Sequence, residues 1–388
     1  MNILIVVSYN NKGGASKSIM NITNSLKEIK NIQIKILSQK IQNKLLSSIS
    51  LDSYLSIPNI IINILKFKPD IIITQDGIAF PAILVSKIMK IPVIHIIRST
   101  SDFCPKYVDV IGYGKACSGI NNKKQCFKCI NNWRTLRILI GNRLKGSEHS
   151  IKTSLINVLY KIRYFICSFN LHLTKKANIN LVASDLIKKY FSCKIDQNKF
   201  IIVNITPIQK IIVDIEPKQK HLLFIRTEFD ASHKGLDFIK KISKLIPKQY
   251  WIIVVGGNND EFYEVGYSHI LYLDHISSKE VFNEVLSESM ITLVPTFCTE
   301  AFGRVIPESL VNRTPVISSP QCGANQFFKD NDALKVVPLK LDLWIKAIED
   351  IIINPPFINN KSINQIYKKF SLEKSKEDFI KTIKEVLV

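Results

Sequence analysis

The chain has 388 residues, 46 % of them hydrophobic and 22 % charged, which excludes a disordered, collagen-like or mucin-like polymer and leaves apolar material for two cores. At roughly 100–200 residues per domain the length implies two domains. Lys and Arg number 53 against 32 Asp and Glu, and the excess sits in one half: residues 1–205 carry 30 cations and 9 anions, whereas residues 206–388 carry 23 of each. Such asymmetry suggests that one domain faces a polyanion or an anionic surface.

Short β-branched apolar runs recur, each followed by a segment of helical period. In the first half they are Ile3–Val7, Ile32–Leu37, Ile71–Thr74, Val93–Ile97 and Ile179–Ala183. Ile201–Ile215, with Pro207 and Pro217 near its end, reads as the connector. The runs resume at Leu222–Ile225, Trp251–Val255, Ile270–Tyr272, Ile291–Val294 and Val316–Ser318. Strands buried on both faces of a parallel sheet have this composition. Their alternation with helices predicts two doubly wound, Rossmann-like α/β domains, 1–205 and 206–370, with 371–388 a final helix that packs back on the first domain. Ligands of such sheets bind at the carboxyl ends of the strands.

The opening MNILIVVSYNN has no basic n-region, so no export signal is expected. The greasiest segments, such as Leu155–Leu173, are interrupted by Lys161 and Arg163, and no membrane span is expected. The expected compartment is the cytoplasm, with cysteines reduced.

The densest chemistry lies in Val294-Pro-Thr-Phe-Cys-Thr-Glu300-Ala301-Phe302-Gly303-Arg-Val-Ile-Pro-Glu308-Ser-Leu. A strand ends at Pro295, a glycine-containing loop follows, and Pro307 sits where a helix begins. That puts Glu300 in the loop and Glu308 in the first turn. Backbone N–H groups there favour an anion, and two carboxylates beside it can accept hydrogen bonds from sugar and ribose hydroxyls. Acidic residues placed only to complement the helix dipole would give the same pattern.

Glu300 and Glu308 form the E-x7-E signature of the retaining nucleotide-sugar glycosyltransferases called family 4, which have the GT-B fold, and the chain resembles that family across most of residues 180–325. Thr314-Pro-Val-Ile-Ser-Ser resembles its next strand. Leu223-Phe-Ile-Arg226 with Ser232-His-Lys234-Gly235 resembles its Gly-Arg…Lys-Gly segment, and Trp251–Gly257 its next strand and turn. Ser277-Ser-Lys-Glu resembles the helix start before the signature. Two glycines of the pattern are missing: Ile225 precedes Arg226, and Asn312-Arg313 precedes the Thr-Pro-Val strand.

The resemblance implies that Arg226 and Lys234 grip the donor diphosphate, so that no catalytic metal and no cofactor are needed. It also implies that Glu308 holds the ribose, while Glu300 and the N–H groups of Ala301, Phe302 and Gly303 hold the transferred sugar.

In the first half, Tyr9-Asn-Asn-Lys-Gly13-Gly14-Ala-Ser follows the first strand. It lacks dinucleotide and P-loop spacings; a plain turn and, by the resemblance, a close approach to the donor both fit it. Pro92-Val-Ile-His95-Ile-Ile-Arg98-Ser-Thr-Ser-Asp-Phe-Cys104-Pro resembles a subgroup with His, then Arg-Asp, then Cys-Pro. Arg98 is expected at the sheet's carboxyl edge as a site residue, with Ser99 in place of the usual Asp. His95, inside the apolar run, is either a catalytic group or a hydrogen-bonded core residue. Cys104, Cys117, Cys126 and Cys129 suit either a tetrahedral zinc site or simple reduced thiols.

Trp133–Lys176 is basic and aromatic, with Arg134, Arg137, Arg143, Lys145, Lys152, Lys161 and Arg163. It reads as an amphipathic membrane-surface element, a nucleic-acid patch or a solvated face.

Together these features predict a retaining, metal-independent glycosyltransferase, peripheral on the inner face of the cell membrane. It would move a sugar from a nucleotide diphosphate sugar to a lipid-linked or polysaccharide acceptor in surface-glycan assembly. Its expected partners are that donor, that acceptor and an anionic membrane, and not nucleic acid. An epimerase of the same architecture would convert the donor without an acceptor. A basic nucleic-acid-binding protein would leave Glu300, Glu308, Arg226 and Lys234 unexplained.

Overall fold

A computed structural model describes residues 1–8, 14–39, 51–105, 110–111, 115–117, 123–131, 153–192, 194–208, 221–225, 234–257, 261–265 and 268–388. The chain divides into two compact units: 1–112, 117–207 and 372–388 form the first, and 113–116 with 208–371 the second.

The first unit is built on six parallel strands: β1 (Asn2–Ser8), β2 (Gln33–Gln39), β3 (Ile71–Gln75), β4 (Val93–Ile97), β5 (Ile179–Val182) and β6 (Phe200–Ile202), in the order β2-β1-β3-β4-β5-β6. Every residue of β3 and β4 is buried. A strand covered on both faces has no solvent side on which to alternate, so β3 and β4 are apolar but for Thr74, Gln75 and His95. The β6 strand replaces the start of the expected connector: Phe200 turns into the core and its backbone pairs with β5.

The last helix, Leu372–Leu387, belongs to the first unit. It packs on helix Gly14–Lys27 and buries Phe379 and Ile383. Ser375 Oγ donates to the Asn204 carbonyl at 2.6 Å, and Lys376 reaches Glu28 at 3.3 Å.

The second unit has a seven-stranded sheet: β7 (His221–Ile225), β8 (Trp251–Gly257), β9 (Glu261–Val265), β10 (Ser268–Asp274), β11 (Ile291–Val294), β12 (Val316–Ser318) and β13 (Leu334–Val336), in the order β9-β10-β8-β7-β11-β12-β13. All pairs are parallel except β9 with β10. The periodicity predicts neither β9 nor β13. The β9 strand carries two glutamates and lies at the sheet edge, and β13 is three residues long. An edge or very short strand need not carry an apolar run.

Candidate functional site

The carboxyl end of the second sheet holds the site. The β11 strand runs into Pro295, and the loop from Thr296 to Gly303 is fastened to the loop after β12. Ser319 Oγ donates to the Thr296 carbonyl at 2.7 Å, Glu300 N–H to Gln321 O at 2.9 Å, Gly323 N–H to Glu300 O at 3.0 Å and Ala324 N–H to Phe302 O at 2.6 Å. Beneath this double loop Phe302 packs against Phe327 and Phe370, with centroids 5.9 and 5.2 Å away. Gly303 turns the chain with φ +88°, a conformation costly for any residue with a Cβ. Helix Val305–Val311 follows, and Glu308 lies in its first turn.

Lys234 arrives from another element. It ends the link after β7, directly before helix Leu236–Ser243. Gly235 has φ +98°, and a Cβ there would stand 2.2 Å from the carbonyl oxygen of Pro295. Only glycine allows that helix to approach β11 so closely, and the approach delivers Lys234 to Glu300, with which it forms an ion pair. Both side chains keep about a quarter of their surface exposed, so a ligand can compete for either. Cys322 lies buried below; burial pushes its thiol up to about 11, against the opposing charge of Lys234.

Glu308 is paired too: Arg304 Nη2 donates to its Oε1 at 2.6 Å. Arg304 Nε is buried and has no hydrogen-bond partner among the described residues. The sequence motif does not single out Arg304 as a partner of Glu308, although the i,i+4 spacing is a recognisable signal on a helix. The missing glycine before Thr314 has a counterpart: Arg313 occupies the left-handed region at φ 57°, and its guanidinium donates to Ile358 O and Asn360 Oδ1, both at 2.5 Å.

Thus Glu300, Lys234, Ala301, Phe302, Gly303 and Glu308 come together in one unit. Arg226 and Gly13 lie outside the described residues, and Gly14 opens the helix after β1.

At the carboxyl end of the first sheet, Arg98 leaves β4 and is held by its own unit. Its Nε donates to Gln75 Oε1 at 2.8 Å and its Nη1 to the Ile205 carbonyl at 2.7 Å. Asp76 sits nearby at φ 62°. Burial raises its pKa while the Arg98 charge opposes the rise. Asp102 is pushed up to about 6 by burial, then by the Asp76 charge, with Arg163 opposing.

His95 lies inside β4, almost wholly buried. Its Nδ1 is 3.2 Å from Asn180 Oδ1, and its ring meets the edge of Phe80 at 5.8 Å. Burial lowers its pKa to about 4, so the imidazole is neutral at physiological pH. This is the environment of a core residue.

The basic surface needs one correction. Arg163 is expected there, but it is completely buried in helix Thr153–Lys176. It donates to the carbonyls of Ser101 and Cys104 at 2.9 and 3.4 Å and so braces the turn after β4. A buried guanidinium is tolerable because carbonyls replace its water. Arg134, Arg137, Arg143, Lys145 and Lys152 lie outside the described residues. Among the described residues no three His, Cys, Asp or Glu side chains are arranged to hold a metal ion, so Cys104, Cys117, Cys126 and Cys129 do not converge on one. No helix of the described residues is long and apolar enough to cross a membrane.

Residues 208–370 match the family described as Glycosyl transferases group 1. No curated protein matches the chain in sequence. Among solved structures it is similar to sucrose-phosphate synthase from Thermosynechococcus elongatus, with a TM-score of 0.67 and 12 % identity over 100 % of this chain and 99 % of that one. It is also similar to Anabaena HepE in complex with UDP, with a TM-score of 0.62 and 11 % identity over 99 % and 100 % of the two chains. UDP-GlcNAc 2-epimerase from Neisseria meningitidis, bound to UDP-GlcNAc, gives 0.52 and 14 % over 99 % and 100 %. At these identities the likeness is one of fold.

Proposed function

We propose that this chain, which has the GT-B fold and whose residues 208–370 match the group 1 glycosyltransferase family, is a retaining, metal-independent glycosyltransferase. It would take its sugar from a nucleotide diphosphate sugar and pass it to a lipid-linked or polysaccharide acceptor of surface-glycan assembly, at the inner face of the cell membrane. The observation that carries this reading is the pair of exchangeable ion pairs, Lys234–Glu300 and Arg304–Glu308, on adjoining elements of one sheet end. A diphosphate entering there would draw Lys234, joined by Arg226, and release Glu300 to accept hydrogen bonds from the sugar hydroxyls. Glu308 would take the ribose diol. As the glycosidic bond breaks, charge builds on the β-phosphate, and a cation already in position stabilises it without reorganisation. The leaving phosphate oxygen would accept the proton of the acceptor hydroxyl on the same face. The catalytic work is then positioning and electrostatics. UDP is the first nucleotide to test, since HepE is described in complex with UDP and with UDP-glucose.

A 2-epimerase is the second reading, favoured by the likeness to the Neisseria enzyme. Incubation with UDP-sugars, with and without a lipid-linked acceptor, separates the two. Acceptor-dependent release of UDP with retention at the anomeric carbon is expected. Conversion of the sugar with no acceptor present would establish the epimerase instead.

A further inference from the structure

Helix Thr153–Lys176 turns an apolar stripe to solvent. Val158, Ile162, Phe165 and Phe169 are 49, 42, 55 and 44 % exposed. Their spacings of four, three and four residues put them in one row on a helix. Helix Ile57–Phe67 does the same with Ile62 and Leu65, and Leu55 before it is 61 % exposed. The two elements meet: the Tyr54 ring lies 6.2 Å from that of Phe169, and Tyr54 Oη donates to Asn170 Oδ1 at 2.8 Å. Proteins that stay in solution as monomers rarely leave apolar side chains in such continuous rows.

The charge around the stripe has one sign. Helices Ile57–Phe67, Ala79–Ile88, Lys123–Asn131 and Thr153–Lys176 contain no Asp or Glu. Lys123 Nζ lies 5.5 Å from the Phe127 ring and 5.3 Å from that of Phe165, and Lys161 Nζ lies 5.8 Å from Phe127. Lys124 and Lys128 are exposed on the same short helix, and Lys175 and Lys176 end the long one. The face therefore presents apolar side chains edged with ammonium groups, the order in which a bilayer presents acyl chains below anionic headgroups. A nucleic acid would match the lysines and leave Val158, Ile162 and Leu55 without a counterpart.

We propose that this face, with Phe165 and Phe169 at its centre, docks on an anionic lipid bilayer by inserting the apolar row beneath the headgroups. The inference rests on the proposed function in one respect, that the acceptor is membrane-bound. It differs from attraction by the basic segment alone: charge brings the chain to the surface, and apolar burial holds it there.

The test is co-sedimentation of the full chain with vesicles of phosphatidylcholine alone and of phosphatidylcholine with about one-third phosphatidylglycerol, at low and high salt. The wild-type chain should partition onto the anionic vesicles, far less onto the neutral ones, and keep part of its binding at high salt. The double substitution Phe165→Ser with Phe169→Ser should lower that partition at least about tenfold, because two buried aromatic rings are lost. Lys123→Glu with Lys161→Glu should lower it by a similar factor at low salt. The Phe side chains are about half exposed, so unfolding temperatures should be unchanged. Phe165→Trp keeps binding and should shift its emission to the blue on vesicle addition.

Equal binding by the wild-type and serine chains, equal binding to both vesicle types, or an indole that stays water-exposed would each overturn the proposal. So would a patch that instead holds two copies of the chain together or shifts RNA, with no vesicle binding. Donor turnover, measured without vesicles, is a separate readout: its failure would remove the glycosyltransferase reading and leave the lipid result standing.

Discussion

The two sheets end in charged residues that are committed differently. At the end of the first, Arg98 is tied to Gln75 and the Ile205 carbonyl, and Arg163 to the carbonyls of Ser101 and Cys104. Three of these contacts hold backbone carbonyls and the fourth holds the Gln75 side chain. At the end of the second, Lys234 and Arg304 pair with the carboxylates of Glu300 and Glu308, which are partly exposed. A ligand can trade for a carboxylate partner at modest cost, because neither ion is fully desolvated. Arg163, completely buried, cannot give up its carbonyl contacts without opening the fold; the contacts of Arg98 are only part-buried. The same architecture thus meets its charged side chains with neutral oxygens at one sheet end and with carboxylates at the other.

The sharpest way to break this contrast is at Gly235. Gly235→Ala sets a Cβ 2.2 Å from Pro295 O at φ +98°. It should cost about 2 kcal/mol or more of stability and remove nearly all donor turnover, by moving Lys234 off the site. Thermal unfolding and initial rates check both, and a fully active variant would mean that Lys234 is not held through this contact.

Next come the exchangeable ions themselves. Lys234→Ala should lower turnover on the order of a hundredfold or more, as for a lost oxyanion donor, with little change in unfolding temperature. Glu300→Gln should suppress transfer while nucleotide diphosphate still binds, as followed by calorimetry. If both variants stay within a few-fold of wild type, the diphosphate is held elsewhere.

A smaller effect should separate Glu308 from Arg304. Glu308→Ala removes the group assigned to the ribose and should raise the donor KM about tenfold, a loss of roughly 1.4 kcal/mol. Arg304→Ala only frees that carboxylate to reorient, and its KM effect should be less. Steady-state kinetics on both variants gives the ranking, and the reverse order would assign Arg304 to the donor directly.

The first unit offers a test that leaves donor turnover aside. His95 has its pKa lowered from 6.5 to about 4 by burial. The unfolded chain therefore binds the proton first, and the stability supplied by the neutral buried ring is lost as pH falls from about 6.5 toward 4. Between pH 7 and 5 the loss should be about 2 kcal/mol. His95→Leu should flatten that part of the profile of unfolding temperature against pH. An unchanged slope would mean that the ring is open to solvent and free to take part in chemistry.

Much of the molecule is legible in the order of its residues. Ten apolar runs correspond to strands: the inner ones are apolar because both faces of a parallel sheet are covered, and the edge strand β2 is legible from its alternation Ile-Gln-Ile-Lys-Ile. The positions of Glu300 and Glu308 in loop and first turn follow from Pro295, Gly303 and Pro307, since these residues restrict backbone angles locally. Strands β6 and β13, three residues each and partly exposed, and the edge strand β9 with its two glutamates are not legible, because such short or edge segments carry no distinctive composition.

What only the tertiary structure decided concerns pairings across distance. Lys234 and Glu300 are 66 residues apart, and no local rule joins them. Gly235 is a plain glycine in the sequence, until the Pro295 carbonyl is found where its side chain would be. Arg163 reads as one more surface cation, because its charge is visible and the carbonyls that surround it are not. Phe165 and Phe169 show the converse, since their rings are as apolar as any in the core and yet stay half in water. Composition fixes which residues prefer to leave water; which of them do so depends on what the rest of the chain brings to cover them.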